Sequence, residues 1–120
     1  GADVALAGRD VAACEGVAAL RGEVRRLRAD RTPQMGWNDV IHGDDPLFEG
    51  VTDGSQFYFA NSYVCHPAEN IGIAKTEYGE SFPSAVRKGA VCGVQFHPEK
   101  SGPPGLRLLA NFLKIAEGSR

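Results

Sequence analysis

Methionine, cysteine and net charge are all scarce in this sequence, and each shortage excludes something. Met35 is the only methionine among the 120 residues, and the chain opens on Gly1-Ala2-Asp3. A chain that starts this way is expected to be a processed protein or a piece of a longer one. Its three cysteines, Cys14, Cys65 and Cys92, are odd in number and widely spaced. That excludes a disulfide framework and a C-x-x-C metal site, and makes a reducing cytoplasm the expected compartment. No apolar run approaches the roughly 20 residues of a membrane span. Asp3, Arg9 and Asp10 interrupt the one apolar stretch near the start, and no basic segment precedes it, so no signal peptide is expected. Lys and Arg number 13 against 15 Asp and Glu, a net charge of -2. This is not the basic footprint of a nucleic-acid or anionic-membrane binder. The local exception is Arg21, Arg25, Arg26, Arg28 and Arg31, interleaved with Glu23 and Asp30, which reads as a solvated strand or loop face.

What is present is the makeup of one small globular domain, with 42% hydrophobic and 23% charged residues. Residues Val4 to Leu20 are Ala- and Val-rich and predict a helix followed by a loop. A polar-apolar alternation from Gly22 through Leu27 predicts a short strand, and Trp37 to Val40 a second. Asp44-Asp45-Pro46-Leu47-Phe48 reads as a turn entering one helical turn, with Asp as cap and Pro near the first position. Gln56 to Val64, dense in aromatics and ended by Pro67, is the most strand-like run in the chain. Ile71 to Tyr78 predicts another strand, and Ala85 to Phe96 two strands meeting near Lys88-Gly89. A closing helix follows, capped by Ser101 or Gly102, with Pro103-Pro104 in its first turn and Gly118 at its end. Leu106, Leu109, Ala110, Leu113 and Ala116 recur at helical spacing and predict its apolar face. The class is α/β and strand-rich. Strands such as Val91 to Phe96 are apolar on both faces and call for cover from both sides, which a single amphipathic helix cannot supply.

The chemistry concentrates in Gly93-Val94-Gln95-Phe96-His97-Pro98-Glu99-Lys100. An apolar strand runs into His97, Pro98 stops it, and Glu99 follows. Active sites of open α/β sheets gather just beyond the carboxyl ends of strands. A His there, with a carboxylate on one ring nitrogen, makes a base and its orienter, the other nitrogen being left for proton transfer. Taken alone, His-x-Glu also fits a surface pair or metal ligation.

The whole string resembles the closing motif of the class I glutamine amidotransferases, where His and Glu of a Cys-His-Glu triad occupy these two positions. Within that family, Met35-Gly36-Trp37-Asn38 resembles a signature of the glutaminase subunits of imidazole glycerol phosphate synthases, from histidine biosynthesis. Phe57 to Tyr63 and Gly22 to Leu27 are similar to further segments of those subunits, in the same order. The resemblance implies that residues 1–120 are the C-terminal part of a flavodoxin-like, three-layer α/β domain. It also implies a glutaminase that yields glutamate and ammonia, without metal or organic cofactor, and passes the ammonia to a cyclase partner in a heterodimer. His97 and Glu99 would be catalytic, and Ser62 and Tyr63 would line the glutamine pocket. Met35, Trp37 and Lys100 would lie near the partner. On the residues alone, Ser62 and Tyr63 also fit an ordinary strand end, Met35 and Trp37 core packing, and Lys100 a solvated lysine.

Two departures stand out: Gln34 and Asn61 occupy positions where the family has His. The triad's nucleophile belongs in a Gly-x-Cys-x-Gly elbow, and no cysteine here sits in one. Cys92 lies inside an apolar strand, Cys65 adjoins His66 at a strand end, and Cys14 has Ala12 where the first Gly belongs. The half of the domain that holds the elbow is therefore expected to lie outside this chain, which alone is expected to be inactive. A paralogue serving another synthase, or a non-catalytic binding module, are the alternatives.

Overall fold

The structure, a computed structural model, describes residues 4–6, 22–67, 70–88 and 91–118. Nine strands and one helix follow in chain order among these residues: β1 (Val4–Leu6), β2 (Gly22–Arg26), β3 (Gln34–Asp39), β4 (Ile41–His42), β5 (Gln56–Asn61), β6 (Tyr63–Pro67), β7 (Gly72–Glu77), β8 (Ser81–Lys88), β9 (Val91–Val94) and α1 (Gly102–Gly118). A five-stranded sheet runs β1-β9-β8-β7-β4, and two ribbons, β2-β6 and β3-β5, stand beside it. Pairing of β1 with β9 is parallel, with Val4 opposite Cys92 and Leu6 opposite Val94. The other pairings in the sheet are antiparallel.

Alternation in β5 shows how the core is made. Phe57 and Phe59 are fully buried while Tyr58, between them, is half-buried on the other face. The two phenylalanines meet Phe96 at ring separations of 4.3 and 5.8 Å, and Phe59 meets Phe82 edge-on at 6.3 Å. Leu47, Val40, Val64 and Leu108 complete this apolar centre. The turn before it forms as the sequence predicts: Asp45 caps a 3-10 turn at Pro46–Phe48 by accepting from Leu47 N at 2.9 Å.

Several expectations need correction. Val4–Leu6 is a strand, not the start of a helix, and the remainder of the predicted helix and loop lies outside the described residues. A short apolar run that pairs in parallel carries no periodicity to distinguish it from a helix. The run from Gln56 to Val64 is two strands, because Ser62 turns the chain between β5 and β6. Helix α1 packs through Leu108 and Asn111, both 2% exposed, with Phe112 and Ile115 partly buried against the core. Leu106 and Leu113 of the expected face are 65% and 61% exposed. Both stripes have helical spacing, so periodicity could not choose between them. The choice follows from Asn111, whose side-chain amide donates to the carbonyls of Leu47 and Glu49 at 2.9 and 2.7 Å. The arginine face is not wholly solvated either. Arg25 on β2 ion-pairs with Glu80 in the β7–β8 turn, and Arg28 N donates to the same carboxylate at 2.6 Å. The Arg25 guanidinium, with that backbone N–H, lowers the Glu80 carboxyl from 4.5 to about 2.

Candidate active site

Phe96 anchors the end of β9 in the core and delivers His97 to the surface of the sheet. The backbone of His97 is then tied to β5, its N–H donating to Tyr58 O at 2.8 Å. Pro98, buried, opens a 3-10 turn over Pro98–Lys100 that brings Glu99 back toward the ring. His97 Nδ1 lies 3.1 Å from Glu99 Oε2. A carboxylate can only accept, so Nδ1 carries the proton and, in the neutral ring, Nε2 carries the lone pair. Nε2 is buried and has no hydrogen-bond partner among the described residues. The arrangement suits a group that takes or gives a proton at Nε2.

The other predicted residues distribute around this loop. Ser62 and Tyr63 are half-buried at the junction of β5 and β6. Tyr63 is tied to the segment leading to His97 through Gln95, 2% exposed. Its side-chain carbonyl accepts from Cys65 N at 2.9 Å, and its amide donates to Tyr63 O at 3.2 Å. Asn61 donates to the same Tyr63 carbonyl at 3.2 Å and accepts from Gln34 at 3.2 Å. Gln34 and Asn61 are thus partners of each other, opposite one another in the β3–β5 register and buried. Met35 and Trp37 are 65% and 53% exposed. Trp37 meets Tyr58 edge-on at 5.9 Å, and the backbone of Tyr58 holds the loop that ends in the exposed Lys100.

Neither described cysteine has a nucleophile's surroundings. Cys92 is buried, and burial pushes its thiol up to about 11. Cys65 is buried in β6, and Cys14 lies outside the described residues. No group of three His, Cys, Asp or Glu among the described residues is placed to hold a metal. No helix among them is long and apolar enough to cross a membrane. A broad cleft of about 700 Å³, bordered by His42, Asp45, Phe48, Glu49 and Asp53, lies away from His97.

Sequence reasoning does not single out Gln95 or Ser101 as site residues. An amide between Val94 and Phe96 in an apolar strand is a signal that could have found Gln95, since a buried amide must find partners. Ser101 fits a helix cap by its position, but its hydroxyl donates to His97 O at 2.6 Å.

A family model described as "Glutamine amidotransferase class-I" matches residues 4–116. The chain is 45% identical over 103 residues to HisH of Methanocaldococcus jannaschii, a subunit of imidazole glycerol phosphate synthase, covering 84% of this chain and 53% of the relative. It is 48% identical over 110 residues to HisH of Dehalococcoides mccartyi, covering 89% and 53%. The chain therefore spans about half the length of the curated relatives it matches. Among solved structures, a protein described as a GMP synthase subunit of Thermoplasma acidophilum superposes with a TM-score of 0.65 at 16% identity, covering 81% of this chain and 49% of that one. A glutamine amidotransferase of Thermotoga maritima superposes with a TM-score of 0.59 at 16% identity, covering 85% and 44%. These two likenesses bear on the fold alone.

Proposed function

The chain belongs to the class I glutamine amidotransferase family, and from that premise we propose that it carries the acid-base half of a glutaminase. In the complete protein it would hydrolyse glutamine to glutamate and ammonia, as part of an imidazole glycerol phosphate synthase in histidine biosynthesis. The observation that carries this reading is the His97–Glu99 pair, Nδ1 on the carboxylate and Nε2 buried without a partner among the described residues.

The chemistry follows from that pair. A cysteine in the part of the domain not contained in residues 1–120 attacks the side-chain amide carbon of glutamine. His97 Nε2 moves the thiol proton to the departing ammonia, then takes a proton from the water that cleaves the thioester. Glu99 holds the ring in the tautomer this needs and stabilises the imidazolium. Ser62 and Tyr63 contact the glutamine. No metal or organic cofactor is required. A biosynthetic subunit of this kind would work in the cytoplasm.

A cyclase is the proposed partner in a heterodimer and the recipient of the ammonia. Exposed apolar side chains together on one strand face are what a protein interface uses, and Met35 and Trp37 form such a pair on β3, with Lys100 beyond. Trp37→Ala is expected to weaken that association by about 2 kcal/mol, read by titration calorimetry of the complete protein against the cyclase. Unchanged affinity removes this face from the interface.

The test of the catalytic assignment is glutamine hydrolysis by the complete protein bound to its cyclase partner. His97→Ala is expected to lower kcat by about 1,000-fold, and a near wild-type rate in that variant would overturn the assignment. The 120 residues alone are expected to release no ammonia from glutamine. Release that survived replacement of all three cysteines would rule out the thioester route.

A further inference from the structure

Glu99, which orients the imidazole of His97, is itself poorly confined: its side chain is 52% exposed, against 22% for His97. The main chain that carries the ring is held by buried groups around the loop. Ser101 is 1% exposed. Its Oγ accepts from Tyr58 N at 2.9 Å and donates to His97 O at 2.6 Å. His97 N in turn donates to Tyr58 O. Both polar groups of the Tyr58 main chain are therefore committed to the His97 segment, one directly and one through the serine hydroxyl. This closes a ring of hydrogen bonds between β5 and the loop. It pins His97 from its amide side and its carbonyl side at φ -102° and ψ 96°.

Packing enforces the same arrangement. A Cβ built at Gly105, in the first turns of α1, would lie 2.0 Å from Pro98 O and 2.9 Å from Ser101 Cβ. The helix is thus seated directly on the turn that carries Glu99, and Ser101 sits between helix, turn and β5.

We propose that Ser101 is a positioning residue for glutamine hydrolysis: its hydroxyl bridges Tyr58 N–H to His97 C=O and so fixes where the imidazole Nε2 is presented. The proposal rests on the reading that His97 transfers the proton. Ser101 touches no reacting atom and acts only through His97, so its loss should appear in turnover rather than in glutamine affinity. Misplacing a catalytic group by about 1 Å costs on the order of 100-fold.

The experiment is steady-state glutamine hydrolysis by the complete protein in complex with its cyclase partner, comparing wild type, Ser101→Ala, Ser101→Cys and His97→Ala. Cysteine fills the serine's space but is a weak donor and acceptor, so it removes the bridge while keeping the packing. Both Ser101 variants are expected to lose about 10- to 100-fold in kcat, with KM within about twofold of wild type. Either variant, folded and turning over at the wild-type kcat, overturns the proposal. A purely structural serine would lower the melting temperature and leave kcat per folded molecule intact. Where Ser101→Ala does not fold, Ser101→Cys decides by the same criterion. If His97→Ala is inactive while the Ser101 variants are normal, this proposal alone falls. If His97→Ala retains activity, the catalytic reading falls with it.

Discussion

Gln95 shows what a single buried amide does when it has two backbone partners. It continues the β9 ladder sideways into β6, its carbonyl on Cys65 N and its NH₂ on Tyr63 O. Gln95→Leu takes from Cys65 N its side-chain acceptor and leaves Tyr63 O with the Asn61 amide alone, and is expected to destabilise the chain by about 2 kcal/mol, measured by denaturant unfolding. A loss below about 0.5 kcal/mol would mean water replaces the amide. Cys92 is expected to resist iodoacetamide at pH 8 in the native chain and to react on unfolding, since burial holds its thiol up near 11. Rapid native alkylation would contradict the burial. At this scale the sequence was legible where partners are close along the chain. His97 and Glu99 are two residues apart and a proline turn brings them together, so the motif alone anticipates the contact. Ser101 and Gln95 act on residues of β5 and β6, far away in sequence, and nothing local announces which backbone they will meet. The Gln34–Asn61 pair illustrates the same limit: each is visible as a departure, but their bond to each other requires the β3–β5 register.

Elements were easier to recognise than their orientation. Strand existence followed from alternation and turn residues in most of the chain, because those signals are local. Which side of α1 faces inward was not legible, because two apolar stripes compete and only contacts with Leu47 and Glu49 decide between them. The seating of α1 on the Pro98–Lys100 turn gives an expectation of its own. Gly105→Ala must push the helix or the turn aside, since its Cβ would overlap the Pro98 carbonyl. It should cost about 2 kcal/mol or more, seen as a lower melting temperature, and an unchanged one would refute the close approach. The Arg25–Glu80 pair ties β2 to the β7–β8 turn and gives a pH signature. The folded carboxyl lies near 2 against an ordinary 4.5. Its contribution is therefore present above pH 4.5 and is lost as the pH falls toward 2. Glu80→Gln should lower stability by about 1 kcal/mol at pH 7, a value discounted for solvent exposure. The difference should disappear near pH 2, and a difference that persisted there would exclude the ion pair as its source.

For the molecule as a whole, the apolar surface left outside the core is informative. Leu106 and Leu113 on α1, and Met35 and Trp37 on β3, are all more than half exposed. The chain spans about half the length of its curated relatives. Replacing both helix leucines by Gln is expected to reduce aggregation of the isolated chain, while leaving its melting temperature within about 2 °C. Light scattering and a thermal scan check the two halves of that statement. A large drop in melting temperature would mean the leucines are packed inside the chain after all.

The parallel pairing of β1 with β9 has a further consequence, in time rather than in space. Val4 and Cys92 are register partners far apart along the described chain, so the strand leading to His97 cannot gain its outer neighbour until nearly all the residues between them have left the ribosome. Closing so long a loop carries an entropic cost that short hairpins such as β7–β8 avoid. The strand leading to His97 is therefore placed to be among the last parts of the sheet to settle, and synthesis interrupted before β9 would leave β1 without a partner among the described strands.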